Sequence, residues 1–285
     1  MKNNLNCITE LLLRTKGVDV SRFDDAFLTK CIERRMTEYG CDTKEHYSAL
    51  LEQNEVENDT FLNSLQISYT EFFRNSLTFS VLEKLILPGL FLNMENTHQH
   101  ELRIWSAACA SGQETYSLSM LLNECSTGKK KSYRIFATDK SEKQIEVAKK
   151  GIYPVSALNY LTQRRLDDWF IRNEKIYEIK PVIKEHIEFT TFDLLSNEYS
   201  CPPTSIFGYF DIIMCANMLF YYNSASRKII IEKLSSCLSE NGVLITGETE
   251  REILIKYKFE EVIPHSAIFS KKNNSVCKTI KTQNI

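Results

Sequence analysis

Apolar positions recur at helical spacing through the first quarter of the chain and fall into short strand-like runs later on. In 23–39, Phe27 and Cys31, like Leu28 and Ile32, stand four apart, the repeat of one helix face. Lys30, Arg34 and Arg35 lie beside that stripe, and Ser21, Asp24 or Asp25 can cap its start. Further helices are predicted over 44–53 and 58–67. No strand-like alternation appears, so 1–75 reads as an all-helical domain. Over 76–92, Phe79, Leu82, Leu85 and Ile86 form another stripe, with Pro88-Gly89 near its end. The polar run 93–101 reads as a loop, and 76–100 as the connection to a second domain.

From residue 102 the pattern alternates. Strands are predicted over 102–107, 133–138, 187–191, 210–215 and 243–246. Helices are predicted between them over 113–125, 141–150 and 224–239, and Asn241-Gly242 reads as a helix-to-strand turn. Short apolar strands separated by helices imply an α/β domain over 101–271 with a mostly parallel, covered sheet. The runs 257–262 and 267–270 suggest a closing antiparallel pair. Residues 155–185 alternate loosely, with room for an inserted helix and a small hairpin. The polar tail 272–285 is expected to be disordered.

Composition narrows the class. The 285 residues carry 43% hydrophobic and 25% charged side chains, ordinary for a soluble protein, and a net charge of -2 that disfavours bulk nucleic-acid binding. No apolar run reads as long enough to span a bilayer, and the first residues lack a secretory h-region, so the expectation is a cytoplasmic protein without membrane insertion; a monomer is expected as well. None of the nine cysteines, Cys277 included, forms a Cys-x-x-Cys pair, which disfavours zinc. His98 and His100 lie in a polar loop, and no metal site is expected.

The candidate chemistry sits at strand ends. Ile104–Ala107 runs into the small residues Ala108-Cys109-Ala110-Ser111-Gly112 and then a helix, a turn that lets backbone approach a ligand. Glu114, in that helix's first turn, either answers the helix dipole or pairs with a ligand ammonium. Asp139, just past the second strand, either caps the next helix or accepts from ribose hydroxyls, as in sites for NAD or S-adenosylmethionine. Asp193 can accept from an adenine amino group while Leu194 packs on the ring; a loop acid and a core leucine explain them equally well. Asn217 and Tyr221 follow the most apolar strand, where a turn and a packing role are the plain alternatives. Thr70 and Arg74, four apart, would share a cleft if helical.

Several of these motifs together resemble the chemotaxis receptor (CheR-type) glutamate methyltransferases. Gly112-Gln113-Glu114-Thr115-Tyr116-Ser117 is similar to the family's Gly-Glu-Glu-Pro-Tyr-Ser. Ala137-Thr138-Asp139 with Gly151-Ile152-Tyr153 resembles its Ala-Thr-Asp and Gly-Ile-Tyr. Cys215-Ala216-Asn217 with Tyr221 resembles its Cys-Arg-Asn and following Tyr. Thr70-Glu71-Phe72-Phe73-Arg74 resembles its Thr-x-Phe-Phe-Arg. The resemblance runs from about residue 8 to 270 and keeps the family's order. It implies a helical domain followed by a Rossmann-like methyltransferase domain, with S-adenosylmethionine as cofactor. Cofactor contacts would fall on Thr70, Arg74, Glu114, Asp139, Asp193, Leu194 and Asn217, with Arg74 and Tyr221 near the transferred methyl. Lys30, Arg34 and Arg35 would face an acidic chemoreceptor helix.

The chain departs from the family pattern at Ala108 for Gly, Thr115 for Pro, Ser68 for Asn, Glu248 for His, and Ala216 for an arginine beside the active site. The hairpin with which some members grip receptor tails is not identified by the pattern of 155–185. The resemblance implies methyl-ester formation on receptor glutamates. The alternatives are the same fold acting on another protein or small-molecule acceptor, which Ala216 motivates, and a non-catalytic cofactor-binding regulator.

Overall fold

A computed structural model describes residues 2–66, 69–97, 99–125, 132–206 and 208–271. Expectations placed on Ile67, Ser68, His98, Cys277 and the tail 272–285 lie outside the described residues. The chain divides into two compact units, Met1–Ile67 with Met218–Ile229, and Ser68–Asn217 with Ile230–Ile285.

The first unit holds α1 (Lys2–Lys16), α2 (Asp25–Tyr39), α3 (Lys44–Gln53) and α4 (Glu55–Ser64). Ile8, Leu12, Leu28, Ile32, Tyr47, Leu51 and Phe61 form its core. Asp24 caps α2 by accepting from the N–H groups of Ala26 and Phe27, and Gly40 ends it at φ +65°. The segment after residue 217 joins this unit through backbone. Asp24 N–H donates to the Tyr221 carbonyl at 2.8 Å, and the Phe23 and Tyr222 rings stack at 5.2 Å.

Arg35 corrects the expectation of three basic residues on one exposed face. Lys30 and Arg34 are exposed. Arg35 turns inward and donates through Nε to Glu57 at 2.8 Å, with further pairing to Glu57 and Glu38 through its other nitrogens. Glu57 is fully buried and also accepts from the Tyr47 hydroxyl at 2.6 Å. Burial pushes the Glu57 carboxyl up, but hydrogen bonds from Arg35 and Tyr47 more than offset this and leave it below its ordinary value. A bidentate buried pair binds Arg35 to its own domain.

The second unit begins its helices with α5 (Ser76–Val81) and α6 (Leu87–Thr97), joined by a π turn over Leu82–Ile86. The predicted loop at 93–101 is therefore mostly helix. Pro88 lacks an N–H and crowds the carbonyl one turn back, and the wider turn before it lets the helix continue. By length and composition Ser76–Thr97, with mean hydropathy 1.4, is enough to cross a membrane, contrary to the sequence reading. Half of that stretch is buried in the protein, as in a core helix.

The main elements follow as β1 (Leu102–Ala107), α7 (Gln113–Cys125), β2 (Tyr133–Asp139), α8 (Glu142–Lys150), β3 (Ile152–Pro154), α9 (Gln163–Trp169), β4 (Phe170–Asn173), β5 (Ile176–Ile179), α10 (Pro181–Lys184), β6 (Ile187–Thr191), β7 (Phe210–Met214), α11 (Ser224–Cys237), β8 (Leu238–Ile245), α12 (Arg251–Lys256), β9 (Glu260–Glu261) and β10 (Ile268–Ser270). The seven-stranded sheet has the order β6-β2-β1-β7-β8-β10-β9. Its first five strands pair in parallel, and β10 runs antiparallel to β8 and β9. Every residue of β7 is buried, as expected of a central parallel strand covered on both faces. A separate three-stranded sheet, β3-β5-β4, carries the hairpin that follows α9.

One boundary differs for a definite reason. The predicted helix over 224–239 ends at Cys237, and Asn241-Gly242 lies inside β8 at a register shift against β7. A Cβ at Gly242 would stand 2.7 Å from the Phe210 carbonyl oxygen, so glycine lets the neighbouring backbone pass there.

Candidate active site

β1 is flanked by β2 on one side and β7 on the other, and the sheet grows outward from it in both directions. Ligands of such sheets bind beyond the carboxyl ends at this switch. The turn leaving β1 places Ala108, Ala110 and Gly112 at φ +57°, +46° and +93°. At Gly112 a Cβ would also meet Ala148 Cβ at 3.0 Å and Tyr153 Oη at 3.3 Å, so the position needs glycine on two counts. Thr115, where the family has proline, shares a hydrogen bond of 2.8 Å with Ser106 Oγ.

Asp139 ties this turn to the next helix. Its Oδ2 accepts from Ala110 N–H at 2.9 Å and its Oδ1 from Ser141 N–H at 2.8 Å. The N-cap of α8 is Ser141, not Asp139. Burial raises the Asp139 pKa above its ordinary value despite these bonds. A carboxylate can accept about four hydrogen bonds, so Asp139 keeps accepting capacity beyond its backbone donors.

Glu114 is 8% exposed in the first turn of α7. Its carboxyl is raised to about 7: burial pushes it up most, the Arg74 cation pulls it down and the Glu250 charge adds to the rise. Among the described residues no hydrogen bond reaches this carboxylate.

Arg74 and Thr70 are not helical, contrary to the spacing argument. Phe73 sits at φ +50°, which breaks the helix. Its N–H donates to Ser117 Oγ at 3.0 Å, while the Phe72 ring packs edge-on to Tyr153 at 5.0 Å. The two phenylalanines are thus core anchors that hold the segment down. Between them and residue 69, the Thr70 hydroxyl is buried without a hydrogen-bond partner. The Arg74 guanidinium lies 5.2 Å from the Tyr69 ring centre.

Asp193 follows β6. It accepts from Leu195 N–H at 2.8 Å and stands 3.5 Å from Lys140 Nζ, and Leu194 beside it is buried. Asn217 follows β7 at φ +60°, a conformation asparagine tolerates better than most residues. Its N–H donates to Glu250 Oε2 at 2.8 Å, and its side-chain Nδ2 is buried without a partner. The same Glu250 oxygen accepts from Gly247 N–H at 2.8 Å. Tyr221 belongs to the first unit, where its ring lies 5.0 Å from Phe27 and 4.1 Å from Phe220.

The structure thus sets Arg74 and Glu250 to act on Glu114 and ties Asn217 to Glu250, a fully buried acid that sequence reasoning did not single out. The available signal was its place just beyond the last parallel strand. Nothing local announces that its partner is 33 residues away. Among the described residues no group of three or more His, Cys, Asp or Glu is placed to hold a metal ion.

Residues 68–266 match the family model described as CheR methyltransferase, SAM binding domain. The chemotaxis protein methyltransferase of Salmonella typhimurium is 27% identical over 249 residues, covering 85% of this chain and 82% of that protein. That of Listeria monocytogenes is 29% identical over 243 residues, covering 85% and 88%. Chemotaxis protein methyltransferase Cher2 of Pseudomonas putida is 33% identical over 195 residues, covering 66% and 68%. With a model match that takes in β1 through β9 and relatives that align along most of its length, this chain belongs to the CheR methyltransferase family.

Proposed function

We propose that this protein uses S-adenosylmethionine to methylate glutamate side-chain carboxylates of chemoreceptors, forming methyl esters in chemotactic adaptation. The observation that carries the reading is Glu114, a buried carboxylate with no hydrogen bond from the described residues, at the strand end where such sheets bind ligands. Burying a carboxylate that Arg74 only partly compensates is costly unless a further cation is meant to meet it. The cofactor's α-ammonium is such a cation. The unpartnered Asn217 amide and Thr70 hydroxyl also fit a polar ligand that completes them.

In this assignment Glu114 holds the ammonium, Asp139 accepts from the ribose hydroxyls, and Asp193 with Leu194 takes the adenine. Asn217 and Thr70 give their unspent groups to the cofactor. When bound, the cofactor supplies an electrophilic methyl on a sulfonium. Arg74 orients the acceptor carboxylate by a charged hydrogen bond, weak enough to leave an oxygen nucleophilic. By its place in the family motif, Tyr221 lines the transfer path. A glutamate acceptor is already ionised at neutral pH, so no strong general base is required. The rate comes from positioning and exclusion of water.

The basic contact to the receptor narrows to Lys30 and Arg34, because Arg35 is spent on Glu57. Methylation of receptor cytoplasmic segments assigns the protein to the cytoplasm, and one copy carries every proposed site residue.

Incubation with labelled cofactor and chemoreceptor cytoplasmic fragments tests the proposal. Base-labile label on receptor glutamates supports it. Label only on another protein or small molecule supports the second reading, which Ala216 favours by removing the arginine that the family carries beside the site. Tight cofactor binding without turnover on any acceptor supports a regulator.

A further inference from the structure

The loops that leave β7 and β8 are joined at one atom. Glu250 Oε2 accepts both Asn217 N–H and Gly247 N–H, each at 2.8 Å, from a side chain with no solvent exposure. Gly247 completes the join by what it lacks. A Cβ there would stand 2.7 Å from Asn217 Oδ1, closer than packed atoms come, and a tight 3.1 Å from Asn217 N. The Asn217 backbone is therefore held by a charged acceptor, and its side chain lies where only a glycine at 247 leaves room for it. The side-chain Nδ2 is buried and unpartnered.

A buried donor without a partner costs free energy unless something else receives it. A carboxylate that takes two backbone donors with one oxygen is a rigid staple. We infer that Glu250 is a positioning residue of the cofactor site: it fastens the Asn217 loop against Gly247 so that the Asn217 amide is presented, already oriented, to the bound cofactor. This rests on the cofactor reading above and adds to it a residue that does not itself touch the ligand.

Glu250 has a second consequence through charge. The titratable and charged groups that face Glu114 are Arg74 from the segment before α5, Glu250 beyond β8, Cys109 in the turn after β1 and Cys215 at the end of β7. Both cysteines are pushed well above the ordinary thiol range, chiefly by burial, and stay neutral. Glu250 is then the anion that opposes ionisation of Glu114. A staple that acted only by shape would leave the pH dependence of cofactor binding alone. A carboxylate staple shifts it.

Calorimetric titration of the full chain with S-adenosylhomocysteine, between about pH 6 and 9, tests both consequences. Asn217→Gly keeps the left-handed backbone and deletes the amide. Asn217→Gly and Glu250→Ala are each expected to weaken binding roughly tenfold. The double variant is expected to be no weaker than the worse single one, because both changes remove the same contact. Glu250→Gln keeps an oxygen for the two N–H groups, so it retains affinity within about threefold. Its pH midpoint of binding moves down, because Glu114 ionises more easily without its neighbour.

Multiplicative losses in the double variant or wild-type affinity in Glu250→Ala would each overturn the inference, and an unmoved midpoint in Glu250→Gln would overturn its charge coupling to Glu114. Should Glu250→Ala not fold, Glu250→Asp, whose shorter side chain does not reach both N–H groups, takes its place in the affinity comparison with Asn217→Gly. If the unmodified protein does not bind the probe at all, the cofactor reading fails instead. Hydrogen exchange of the Asn217 and Gly247 amides, slow in the wild type and fast in Glu250→Ala, then judges the staple alone.

Discussion

Replacing Glu114 by glutamine should stabilise the free protein against rising pH while weakening its hold on the cofactor. The carboxyl is raised from an ordinary 4.5 to about 7, first by burial and then by the Glu250 charge, with Arg74 only partly compensating. A folded-state value above the unfolded one means that, between those two values, the folded protein keeps a proton the unfolded chain has lost. The contribution of Glu114 to stability therefore falls as pH rises through that window, reaching about 3 kcal/mol of penalty above it. Glu114→Gln removes the titration. In urea unfolding at about pH 5 and about pH 8, the wild type should lose roughly 2–3 kcal/mol relative to the variant between the two conditions. Any constant cost of burying an amide cancels in that comparison.

Calorimetry on the same pair should show the opposite preference. Wild-type affinity for S-adenosylhomocysteine rises as pH increases through about 7, because the ammonium needs the ionised carboxylate. The variant should bind at least tenfold more weakly at about pH 8, with no such rise. A wild-type-to-variant stability difference that is the same at both pH values would refute the assignment of a costly buried carboxylate. Equal affinities at high pH would refute its use for the cofactor.

Three further outcomes are expected. Ala108→Gly relieves an alanine held at φ +57° and should raise stability by about 0.5–1 kcal/mol, seen as a higher Tm; a lower Tm would mean the alanine side chain is needed in the turn. Arg35→Met leaves Glu57 buried without its cation and should cost about 3–5 kcal/mol in urea unfolding; a loss below about 1 kcal/mol would show that the Tyr47 hydroxyl suffices. Lys30→Glu combined with Arg34→Glu should lower the rate of receptor methylation severalfold, more so at low salt, with S-adenosylhomocysteine affinity unchanged; a rate independent of both charge and salt would remove this face from receptor contact.

Much of the second unit was legible because its strands are short, buried and separated by helices. β1, β2, β6 and β7 fall where apolar runs end in small or acidic residues. Period and composition are local properties, and a central parallel strand must be apolar on both faces wherever it lies. Local pattern was weaker where a distant atom decides the outcome. Asn241-Gly242 looks like a turn, yet the Phe210 carbonyl makes it part of a strand. Thr70 and Arg74 have helical spacing, yet Phe73 gives up the helix to reach Ser117 and the core. Pro88 reads as a stop, yet a π turn carries the helix past it.

The candidate site divides in the same way. Sequence by itself determined the residue types: an acid in the first turn of α7, an acid after β2, an asparagine after β7, and an arginine following paired phenylalanines. These could be read because motif spacing is covalent. Tertiary structure decided what each side chain has left to give. It spent Arg35 on Glu57, put two backbone donors on Asp139, left the Asn217 amide unpartnered and set Glu250 beneath it. Availability of a hydrogen bond or a charge depends on every neighbour within a few ångströms, and those neighbours come together only when the sheet forms.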